Sequence, residues 1–112
     1  MQTAIAEVLQ GTLDLLVLKS LATISPMNGF GIAMRIQQVS EDVLRLNQGT
    51  LYPALLRLEQ RGWMKSKWGV SQNGRKAKYY SLTRKGRNLL QDETADWQQM
   101  AAVINRSLGA ES

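Results

Sequence analysis

The sequence changes period once, and that change limits the folds open to it. WMKSKWG (63–69) and AKYYSLT (77–83) are rich in aromatic, Thr and alternating residues, the composition and period of half-buried strands. Between them lies Asn73-Gly74, a pair that tolerates positive φ and is the strongest short-range hairpin signal. The reading is a two-stranded hairpin over about residues 63–83, with the rest of the chain arranged around it.

Elsewhere the spacing is helical. Leu13, Leu16, Val17, Leu21 and Ile24 mark a first helix over about residues 12–24, with Thr12 placed to cap it and Asp14 in the dipole-favoured first turn. SPMNG (25–29) is turn material. Asn28 then caps a second helix over about 29–40, in which Phe30, Ile32, Ile36 and Val39 form the expected buried stripe. A third helix, about 47–61, buries Leu51, Leu55 and Leu58 and stops at Gly62. From Thr83, a good N-cap, a long helix runs to about Leu108 with Leu90, Trp97, Ala101, Ile104 and Leu108 on one seam. Three helices, then a hairpin, is the order of a winged helix-turn-helix: mainly α with a small β-hairpin and a long C-terminal helix.

At 112 residues the chain has the length of one domain. It contains no Cys and no His, which removes disulfide frameworks, the usual zinc ligands, thiol nucleophiles and imidazole bases together. Glu41-Asp42 and Asp92-Glu93 look like solvated helix-end charges, and no Gly-rich phosphate loop is present. The expectation is a non-enzyme with no metal and no cofactor. The first ten residues carry Glu7 and no basic run, and no unbroken apolar stretch, Leu15 to Leu18 included, exceeds five residues. Neither resembles a secretory signal or a membrane span, so the expected location is cytoplasmic.

Charge is concentrated. From Arg57 to Arg87 there are ten Lys or Arg against one acid, Glu59, a net of +9, whereas the remainder carries four basic and eight acidic residues, a net of −4. A contiguous third of the chain is suited to an anionic partner, although a charge run alone is equally compatible with a solvated surface.

The third helix explains where such a partner would sit. Opposite its buried stripe lie Gly49, Pro53, Leu56 and Gln60, flanked by Tyr52 and Arg57. A merely solvated face favours Glu and Lys, and this one has almost no charge. With Asn47 as cap, Pro53 lies in the helix interior at a cost of about 3 kcal/mol, whereas with Thr50 as cap it occupies the tolerated first turn. Such a low-profile face suits a DNA major groove, with Asn47, Gln48, Gly49, Thr50, Tyr52, Pro53 and Arg57 as the candidate contacts. The competing reading packs Tyr52, Pro53 and Leu56 against the hairpin or a partner subunit.

The hairpin offers a second contact: Lys67, Asn73, Arg75, Lys76 and Lys78 can lie along phosphates or enter the minor groove. Edge-strand charges that discourage aggregation are the alternative. Arg84 and Lys85 open the last helix, where the dipole opposes cations. That placement suits side chains facing phosphate. Four phosphates per subunit would set a log-log salt slope near −7 for a dimer.

These segments resemble the PadR-type transcriptional regulators. The resemblance covers nearly the whole chain and rests on GTLDLLVLKSL (11–21), NGFGI (28–32), GTLYPALLRLEQRGW (49–63) and KYYSLTRKGRNLL (78–90), with Leu51 to Glu59 the most diagnostic. Asn28 and Phe30 depart from the His and Tyr common there. The resemblance implies a winged-helix DNA-binding domain over 1–83 and a C-terminal dimerisation helix over 84–108. The implied function is a sequence-specific repressor, a homodimer on a pseudo-palindromic operator in double-stranded DNA.

The long terminal seam fits that implication, because three short helices and a hairpin are too small a core to bury it. Leu90, Trp97, Ala101, Ile104 and Leu108 are therefore the expected dimer contacts. The resemblance also implies a planar aromatic effector stacked on Trp97, against which stands simple packing of one aromatic on an apolar seam. A second function class remains, a winged-helix protein-interaction module using Tyr52, Pro53 and Leu56, since fold does not determine function. The +9 segment argues against it.

Overall fold

The computed structural model describes residues 2–109, with side chains from residue 11 onward, as α1 (Gln2–Thr23), β1 (Met27–Asn28), α2 (Gly29–Val39), α3 (Gln48–Gln60), β2 (Met64–Val70), β3 (Lys76–Leu82) and α4 (Arg84–Ser107). Four helices surround a three-stranded antiparallel sheet of order β1-β3-β2. Strand β1 falls in the expected SPMNG turn. Its two residues pair with Tyr79 and Tyr80, and a strand that short has no period to read.

Local signals account for most of the boundaries. The Asn28 side chain accepts from Gly31 N–H, Asn47 from Thr50 N–H, and Thr83 from Gly86 N–H, giving three helices their N-caps. Helix α3 ends in a Schellman turn: Trp63 N–H bonds the Leu58 carbonyl and Gly62 N–H that of Glu59, with Gly62 at φ +78. The hairpin turn is a three-residue loop. Gly74 N–H bonds the Ser71 carbonyl, and Gly74 alone takes positive φ while Arg75 faces back to Ser71.

The core gathers Val17, Leu18 and Leu21 of α1, Ile32 and Ile36 of α2, and Leu51, Leu55 and Leu58 of α3. Met64, Tyr80 and Leu82 of the sheet and Leu90 of α4 complete it. Apolar spacing thus identified the inner faces, with corrections. Helix α1 begins about ten residues before Thr12, so Thr12 is no cap and Asp14 lies in a helix interior. Helix formers such as Ala4, Ala6, Glu7 and Leu9 continue the pattern past Gly11. Phe30, Val39 and Ile24 are exposed, each at or just past a helix end. Leu90 belongs to the chain's own core. Its seam partners are not so covered: Trp97, Ile104 and Leu108 are exposed and Ala101 is half-buried.

Helix α4 is stitched to the α3–β2 turn. Thr83 donates from Oγ1 to the Gly62 carbonyl and from N to the Trp63 carbonyl. Gly86 lies so close that an added Cβ would fall 2.0 Å from the Trp63 carbonyl oxygen. No helix among the described residues is long and apolar enough to cross a membrane.

Candidate nucleic-acid interface

Capping by Asn47 decides the position of Pro53: it lies inside α3, five residues past the first. There it removes one ladder bond to Gly49 and should cost about 3 kcal/mol. The buried stripe of Leu51, Ala54, Leu55 and Leu58 holds the helix against that cost. The outer line of α3 keeps Gly49, Pro53, Leu56 and Gln60 exposed, as the wheel predicts.

The two sides of that line differ. On one side Arg57 turns inward, and its guanidinium pairs with the Asp14 carboxylate of α1, 43 residues away in sequence. Both groups are half-buried, and Arg57, one of the expected groove contacts, braces two helices. On the other side α3 faces the hairpin across a cleft of about 740 Å³. Gln48, Tyr52, Leu56 and Glu59 line it from α3, and Trp68, Asn73, Arg75, Lys76 and Lys78 line it from the hairpin. Tyr52 also covers the start of α2, where an added Cβ at Gly29 would stand 2.9 Å from its hydroxyl.

Strand register explains which cations arrive there. Trp68 pairs with Lys78 and Val70 with Lys76, so these side chains share the sheet face that carries Met64 and Leu82 into the core. The ammonium groups of Lys76 and Lys78 stand 5.2 and 5.8 Å from the Trp68 ring centroid, within cation–π range. Lys67 pairs with Tyr79 on the opposite face and points away from the cleft. Arg84 and Lys85 lie at the other end of α3, about 20 Å from its N-terminus at 1.5 Å per residue. There Lys85 lies beside Gly62, where the helix dipole favours a cation.

Glu59, the single acid of the basic segment, is a site residue that sequence reasoning passed over. Its carboxylate accepts from Ser66 Oγ at 2.5 Å and lies 3.7 Å from the Lys78 ammonium, tying α3 to both strands. Burial first, then the Glu59 carboxylate and Tyr52, push the Tyr80 phenol above its ordinary range. Glu59 and Trp68 were readable only with the register in hand, since neither carries a local signal.

Around Trp97, Asp14, Leu15, Arg61, Trp63 and Glu93 outline a crevice between α1 and α4 of about 180 Å³. A drug-sized ligand needs about 300 Å³ or more. A single chain therefore does not enclose one there.

Comparison with known proteins agrees with this architecture. The sequence model of the transcriptional regulator PadR-like family matches residues 17–92. A transcriptional regulator from Clostridium thermocellum superposes with a TM-score of 0.78 at 27% identity, covering 89% of this chain and 93% of that one. A PadR family transcription regulator from Clostridium difficile gives a TM-score of 0.73 at 33% identity over 86% of this chain and 97% of that one. An uncharacterised protein X from Lysinibacillus sphaericus is 25% identical over 100 residues, 89% of this chain and 91% of that protein. These are regulators rather than enzymes where their function is named. With a match spanning most of its length, the winged-helix chain described here belongs to the transcriptional regulator PadR-like family.

Proposed function

We propose that the protein is a cytoplasmic repressor that binds a pseudo-palindromic DNA operator as a homodimer. DNA-binding transcriptional regulation is the coarser function its family carries. One observation supports the finer reading above the rest: a weakly charged helix face and a cationic hairpin wall converge on one cleft. The outer line of α3 enters the major groove, and Arg75, Lys76 and Lys78 meet the flanking phosphates. Arg57 is paired inward, Lys67 lies on the far face of the sheet and Lys85 lies beside Gly62, so this reading rests on Arg75, Lys76 and Lys78.

The uncovered seam of α4 supplies the second subunit. Trp97, Met100, Val103, Ile104 and Leu108 are exposed apolar residues of one helix, and a second copy is the occupant that two-fold symmetry brings to both seams together. A planar aromatic effector would need that second chain to enlarge the crevice at Trp97.

Selection from random DNA with the purified protein should recover a two-fold-symmetric site. Three phosphates per subunit give a salt slope of about −5 for the dimer, shallower than the four-phosphate value, and Arg75→Ala with Lys76→Ala should flatten it by about 4. A monomer indifferent to duplex DNA at low salt would sink the proposal. A protein-interaction module would show that behaviour.

A further inference from the structure

The cleft poses a chemical mismatch. Its hairpin wall is cationic, yet α3 borders it with Leu56, 56% exposed between Tyr52 and Glu59, with exposed Pro53 beside it on the outer line, and Phe30 and Trp68 are exposed on the same cleft. An exposed leucine is ordinary in itself, and of the exposed apolar residues here Leu56 alone lies both on the cleft and on the outer line of α3. This one stands where charge complementarity commits the surface to an anionic polymer, so it must meet an apolar point on that polymer. Among the groups a duplex presents in its major groove, the 5-methyl of thymine is the apolar one.

Resting on the reading of α3 as the helix in the major groove, we propose that Leu56, seconded by Pro53, is a specificity-determining residue that selects thymine through its 5-methyl group. Neither side chain has a hydrogen-bonding atom. A cytosine amino group or a guanine carbonyl placed against them loses its water without gaining a partner, which penalises the wrong base. Gly49 lies two turns earlier on the same line, and an added Cβ there would meet only the Asn47 side chain, at 3.3 Å. No side chain therefore projects from the outer line of the helix at that position.

The test uses the full-length protein and the operator recovered by selection. Each thymine is replaced singly by deoxyuridine, which removes the methyl and nothing else, and affinity is measured for the native protein, Leu56→Ala and Leu56→Ala with Pro53→Ala. Burial of one methyl corresponds to about a fourfold loss on replacement. The expected result is that loss at one thymine in each half-site for the native protein, reduced in Leu56→Ala and absent in the double variant. Native binding that is insensitive to every deoxyuridine overturns the inference while leaving DNA recognition intact. So does a thymine preference that survives in the double variant, or a selected site with no thymine in the half-sites. Failure to bind any duplex overturns the DNA reading itself.

Discussion

Helices α3 and α4 both carry apolar residues at helical spacing, and their own chain treats them oppositely. Leu51, Leu55 and Leu58 of α3 are buried beneath α1, α2 and the sheet. On α4, Leu90 reaches the same core, but two to five turns further on Trp97, Ile104 and Leu108 are exposed, the last at 77%. The stripe in each case states that a face seeks cover. Whether the cover belongs to the same chain is a matter of reach, since the buried core takes in only the first two turns of a 24-residue helix. Where the chain covers its own stripe it forms a domain. Where it does not, it leaves a face exposed, the one that the proposed dimer would cover.

Truncation of one residue from each stripe sharpens the contrast. Leu55→Ala should cost about 2–5 kcal/mol in denaturant unfolding, from lost burial and a cavity, and that loss should not depend on protein concentration. Ile104→Ala should change unfolding little at high dilution and weaken self-association about tenfold, read by sedimentation. Equal, concentration-independent losses at both sites would erase the distinction between the two helices.

The joint between the regions gives the next effect. Because Gly86 packs against the Trp63 carbonyl, Gly86→Ala forces backbone to move. The expected cost is about 1–3 kcal/mol, read as a lower denaturation midpoint. An unchanged midpoint would mean that α4 is not seated on the α3–β2 turn.

The smallest effect belongs to the covered region alone. Tyr80 is 5% exposed and its phenol is held above the unfolded value of 10.0. The native state then keeps a proton that the unfolded chain releases. This contribution to stability is complete below pH 10 and fades as pH rises through the folded value. Tyr80→Phe should flatten the alkaline fall in stability, measured by denaturant titrations across that range. An identical fall in the variant would locate the titration elsewhere.

Much of this was legible beforehand because the signals act over a few residues. The caps at Asn28, Asn47 and Thr83, the stop at Gly62 and the turn at Gly74 each follow from one side chain and its nearest backbone. The α3 stripe and the hairpin follow from period, which a window of a dozen residues reveals. Thr12 misled for the same reason: a residue able to cap does so only if the preceding turn is not helical, and α1 had already begun.

The sequence alone determined which faces are apolar, where the turns fall and which third of the chain is cationic, since these are properties of neighbours along the backbone. Tertiary structure decided where those cations stand. It turned Arg57 onto Asp14, set Lys67 on the far face of the sheet, carried Lys85 to the C-terminal end of α3, and gathered Lys76 and Lys78 around Trp68 beside Glu59. Strand register and helix docking bring together residues tens of positions apart, and no local period records that meeting.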